Sequence, residues 1–252
     1  MCRVFRRRTN LHLTGAKVKK ILLALTTFVA TLCCHQLAAQ TQINQANISA
    51  FPYTIVQPGS YILTSNINIA NTGSNLAIIV SAPNVTINLN GYTITGPCPT
   101  GGCSTGSEGI YANPGYTNTT VENGQVTGFT YGVDIQSGDI HDISVTEGNY
   151  CIYASNATIR HNVVANCYEY GIYGQNSTIS DNIVSGAAWG GIVGFYSSIY
   201  NNTSNNNAGW GIEAVGGVLS GNTAMHNPTN EDFWMGSNAV SSKNNASTNG
   251  AY

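Results

Sequence analysis

The sequence predicts an all-β fold, a single solenoid of about eight or nine parallel coils with roughly 20 residues in each. Three observations carry this expectation. First, residues 151–230 write the same line four times without a gap. Ile152, Ile172, Ile192 and Ile212 share one column, and Ile159, Ile179, Ile199 and Leu219 share another. A third column is small throughout (Ala154, Gly174, Gly194, Ala214). Second, the apolar residues are β-branched and come in short bursts separated by Gly, Asn, Ser or Thr. No segment has the i, i+3, i+4, i+7 stripe of a helix. Third, only 8% of the residues are charged and 28 are Gly, a composition too apolar and too patterned for a disordered chain.

Stacking such coils places equivalent side chains about 4.8 Å apart, with isoleucine on isoleucine inside. An asparagine column, Asn162, Asn182, Asn202 and Asn222, suits an inside corner, where stacked amides bond one another and the carbonyls of the turn. Counting back in steps of about 20 adds Asp142 and Asn123 to this structural ladder.

Taken in order, the chain opens with a basic segment and the apolar run 21–34, which reads as a secretory signal over 1–39. The run is too short for a stable membrane span. The solenoid then occupies 40–252. Pro58-Gly59 turns into the strand YILTSNINI, and the next coil is 76–96. Residues 97–108, PCPTGGCSTGSE, break the period as a side loop, and in an exported protein Cys98 and Cys103 are expected to form a disulfide there. Coils resume at 109–131 and 132–150, where Ile110 and Val133 continue the isoleucine column. Cys151 replaces the glycine of its column (Gly171, Gly191, Gly211). A buried thiol there and a bridge to Cys167 are both open. Beyond 230 the register decays into a cap, 231–252, containing Phe233, Trp234 and Met235.

From residue 41 onward Arg160 and Lys243 are the only basic residues, against all 11 acidic ones, a formal charge of −9. Phosphate binding needs a basic face, so nucleic acid is excluded as a partner. The expected protein is a monomer that is secreted, periplasmic or on the cell surface.

The run VTINLNGYTITG, followed by repeated GI…I..N… units, resembles the right-handed parallel β-helix superfamily of pectate-lyase-like folds. Within that superfamily it is most similar to the secreted NosD-type repeat proteins. The resemblance covers about residues 45–230 and implies a right-handed coil. It implies a function less sharply, because lyases, hydrolases, epimerases, adhesins and accessory proteins share this fold.

Its enzymes act on polysaccharides along one flank. No Asp-Asp pair or Gly-His-Gly motif of the hydrolase kind is present. If the chain is an enzyme, a polysaccharide lyase or C5-epimerase is therefore expected, and Ca²⁺ enters only under the lyase reading; no metal or other cofactor is expected otherwise. YGVDIQ (131–136) matches an epimerase-like motif at Tyr131, Gly132 and Asp134. His141, His161 and Asp181 fall 20 apart, beside Arg160. They offer either a base, a cation and a carboxylate on one flank, or merely a solvated turn column. A second column is aromatic. Tyr131, Tyr150, Tyr170 and Trp210 precede the Gly/Cys-Ile step, with Trp189 one place earlier and Tyr153 and Tyr173 on the neighbouring position. Rings spaced along a rod can stack on sugars, or can simply cover a corner. The function expected is binding of a polysaccharide or cell-surface glycan without strong catalytic machinery. The lyase or uronate epimerase and the structural or adhesive rod are the alternatives.

Overall fold

A computed structural model describes residues 40–69, 75–98, 106–227 and 232–246. They form a parallel β-helix of about ten turns, roughly 20 residues to a turn, with one short 3-10 segment and no α-helix. A coil runs along three parallel faces (first, second and third sheets), either as three short strands, such as Tyr150–Ser155, Ala157–Arg160 and Val163–Ala165, or as two where one long strand such as Gly190–Tyr200 covers two faces. The expected count of eight or nine is corrected upward because the two end coils lack the repeat's markers. Thr41–Ile43 pairs in parallel with Tyr61–Leu63, and Ala239–Ser242 pairs with Gly217–Ser220.

The register is the one the columns specify. Ile152 pairs with Ile172, Ile172 with Ile192, and Ile192 with Ile212, all fully buried. Ile159, Ile179, Ile199 and Leu219 form a second file on the second sheet. The small column exists because this second file needs room. A Cβ on Gly174 would stand 2.7 Å from the Ile179 Cδ1, and one on Gly194 would stand 2.5 Å from the Ile199 Cδ1.

The asparagine ladder is continuous from Asn162 to Asn222 and runs on to Asn244. The Asn182 side-chain amide donates to the Ile159 carbonyl at 2.9 Å and to Asn202 Oδ1 at 2.9 Å. Asn182 Oδ1 in turn accepts the Asn162 backbone N–H at 3.0 Å. Asn222 repeats the pattern onto Asn244. Asn123 and Asp142 are not rungs, which corrects their assignment. Their φ angles of 59° and 55° place them in the left-handed corner position also held by His161, Asp181 and Asn201. The reason is a one-residue slip: Ile140 pairs with Ile159 and His141 with Arg160, so the rung position in that coil is Ile143. Its N–H caps the ladder on Asn162 Oδ1 at 3.2 Å.

Cys151 and Cys167 are bonded to each other, with Cα atoms 5.9 Å apart and both residues buried. Cys98 is also disulfide-bonded. Its expected partner Cys103 and the rest of the loop 99–105 lie outside the described residues, as do the expected signal segment 1–39 and, of the expected cap, residue 231 and residues 247–252. Within that expected cap, Phe233–Met235 continues the first sheet on Ile212–Ala214.

Candidate functional site

Alternation along the first sheet, broken at one step, decides which side chains face outward. Ile152 points in, so Tyr153 points out. Tyr150 is half-buried as well because the alternation breaks at two consecutive buried residues, Cys151 and Ile152, and the 20-residue period stacks the two tyrosines on Tyr170 and Tyr173. Two files of rings result. Tyr131 and Tyr150 stack with centroids 5.1 Å apart at 15°, and Tyr170 follows at 5.5 Å. Tyr153 and Tyr173 stack at 5.0 Å and 12°, with Phe195 beyond at 5.5 Å. Edge contacts knit the files together: Tyr150 to Tyr153 at 5.8 Å, Tyr170 to Tyr173 at 6.1 Å. Trp189, 53% exposed, meets Tyr170 edge-on at 5.9 Å. Trp210 is set apart, because Gly190 and Val193 interrupt both files; it packs instead near Trp234 at 6.5 Å.

At the other end the files turn acidic. Glu108 and Tyr111 lie on one strand, with Tyr131 and Asp134 opposite them on the next. Glu108 faces Tyr131, and Tyr111 faces Asp134. The carboxylates thus occupy one diagonal of a square and the phenols the other. Burial, and then Asp134, push the Glu108 carboxyl up to about 7, while burial alone raises Asp134 to about 6. Glu108 Oε2 and Asp134 Oδ1 are buried and have no hydrogen-bond partner among the described residues. Farther along, Glu169 accepts from the Asn149 side chain at 3.1 Å and bonds the Tyr150 phenol; burial and this bond raise the phenol's pKa. Burial also raises Glu213. Among the described residues of the first-sheet strands, every charged side chain is acidic.

The other predicted candidates gather elsewhere. On the second sheet His141 Nε2 stands 3.4 Å from Glu122 and 3.8 Å from Asp139, and its Nδ1 is 2.8 Å from Asp142. Arg160 donates to Asp139 at 2.8 Å and lies 3.5 Å from His161. The expectation that His141, His161 and Asp181 share one column is corrected by the same slip. His141 pairs with Arg160, whereas His161 and Asp181 are corner residues with positive φ. Asp134 is not part of this group. It sits on the first sheet among the tyrosines. No group of three or more His, Cys, Asp or Glu among the described residues is arranged to hold a metal ion.

Sequence reasoning missed Glu108, Tyr111 and Phe195. The signal for Glu108 was present: Glu108-Gly109-Ile110 repeats the outward-small-inward step of Tyr131-Gly132-Val133, concealed by the inclusion of Glu108 in the side loop 97–108, whereas Glu108 opens the strand Glu108–Ala112.

No protein-family model matches the sequence, and no curated protein matches it. Solved structures do. The Dettilon tailspike protein superposes with a TM-score of 0.53 at 14% identity, covering 74% of this chain and 42% of its own. The enzymatically active domain of tailspike protein 2 from bacteriophage CBA120 gives 0.51 at 14% identity, covering 82% and 37%. The A-module of the Azotobacter vinelandii mannuronan C-5 epimerase AlgE4 gives 0.45 at 13% identity, covering 83% and 90%. The class is a right-handed parallel β-helix. The chain spans less than half the length of the two tailspike chains, and at these identities the likeness is one of fold.

Proposed function

We propose that this protein is exported and binds a carbohydrate chain along the outer face of its first sheet. The observation that supports the reading is the double file of half-buried rings, Tyr131, Tyr150 and Tyr170 beside Tyr153 and Tyr173, with Trp189 at its edge. Ring faces and edges bordered by carboxylates match what a pyranose offers, apolar C–H patches ringed by hydroxyl donors. Retardation in gels containing polysaccharide tests it, using a neutral glucan, chitosan, alginate and pectate. Tyr150→Ala with Tyr173→Ala is expected to weaken binding by about 1 kcal/mol per ring while circular dichroism keeps its β signature. Unchanged retardation in the double variant removes the strip from the site.

A catalytic reading has one observation in its favour. Glu108, held near neutrality beside Asp134, has the protonation behaviour of a general acid. Lyase or epimerase chemistry through Arg160 fits less well, because its guanidinium is paired with Asp139 on a different sheet. Product formation lost in Asp134→Asn would favour catalysis over binding.

A further inference from the structure

The sugar chemistry follows from the square of Glu108, Tyr111, Tyr131 and Asp134, given that the first sheet is a glycan-binding face. Two carboxylates lie diagonally across two adjacent strands, and each keeps a buried oxygen without a donor among the described residues. An unsatisfied buried acceptor is costly, and a buried carboxylate without a counter-charge costs more. Nothing on the strands of this sheet supplies either need. The basic residues described in the solenoid lie off the first-sheet strands, and Arg160 is already bound to Asp139. A sugar hydroxyl brings a donor but no charge. A uronate brings charge of the wrong sign. An ammonium brings three donors and a positive charge, and the flanking phenol faces attract it further.

We propose that the strip selects a glycan carrying free amino sugars, with an ammonium group seated between Glu108 and Asp134 against the rings of Tyr111 and Tyr131. Burial keeps both carboxyls readily protonated in the free protein. Capture of a cation therefore drives protons off them, and binding is accompanied by proton release. Tyr150, Tyr153, Tyr170 and Tyr173 carry the neighbouring units of the chain.

Calorimetry with chitosan hexamer, fully N-acetylated chitin hexamer and hexagalacturonate, in mildly acidic buffers of differing ionisation heat, tests this. The chitosan hexamer is expected to bind about tenfold more tightly than the acetylated chain, with net proton release. Asp134→Asn with Glu108→Gln, nearly isosteric changes, is expected to abolish both the preference and the proton release with the circular dichroism unchanged. Equal or tighter binding of the acetylated or uronate chain overturns the ammonium site but leaves the strip standing. Binding of none of the three, with the fold intact by circular dichroism, overturns the strip and this proposal together.

Discussion

Asn182 shows how much one side chain does in this fold. Its amide satisfies a carbonyl in the coil before it and the next asparagine, and its oxygen takes a backbone N–H that no strand pairs. All of these groups are buried, so Asn182→Ala leaves several without partners at once. The expected loss is about 2–4 kcal/mol, read as a lower urea midpoint, whereas Asn201→Ala at the exposed corner removes no rung. The rungs were legible in the sequence because chemistry and period agreed at Asn162 through Asn222. Asn123 and Asp142 were misplaced for a definite reason. Asparagine and aspartate also favour the left-handed corner next door, so residue type alone does not separate the two positions. Asn244 escaped notice because its coil carries two additional residues.

At the scale of the strand and its connection, the disulfide sits where the repeat departs from its own rule. Cys151 stands in a glycine column, and a Cβ at Gly191 in that column would lie 2.5 Å from Asn207 Nδ2. The bridged coil instead fills this space with a covalent link closing 16 residues. Cys151→Gly with Cys167→Ala restores the residues of the following coil, Gly171 and Ala187. It should cost about 3 kcal/mol, the chain entropy of a loop of this size, measured by urea unfolding of oxidised protein. The first sheet was legible because the tyrosines recur with the same period as the inward isoleucines, although the two consecutive buried residues after Tyr150 and Tyr170 break simple alternation. The acidic square was not, because two coils of unequal length meet there. Pairing Glu108 with Tyr131 needs a register that periodicity does not supply.

At the scale of the whole molecule, charge is divided along the chain. The solenoid has almost no cations, while seven of the nine basic residues precede residue 21. If residues 1–39 direct export and are removed, the mature protein loses most of its positive charge and acts as a polyanion with a tyrosine face. Expression in a secreting host, with N-terminal sequencing of the product, is expected to find Gln40 first. Retention of Met1 in exported material would contradict this. The coil was readable in outline because the turns from Cys151 to Asn222 keep one spacing, whereas pairings such as Glu108 with Tyr131 and Gly217 with Ala239 depart from it. The ligand was not, because the strip's selectivity lies in a few outward residues that the core does not constrain.

The rungs at Asn162, Asn182, Asn202 and Asn222 make successive turns interchangeable at their seams. Excising one whole turn, residues 171–190, would bring Asn162 against Asn202 and Ile152 against Ile192, and the spiral would close one pitch shorter with its lining undisturbed. Removing nineteen residues instead would turn every later side chain inside out, unless the corner absorbed the difference as it does at Asp142. Length is therefore adjustable in this architecture, but only in whole turns of the screw.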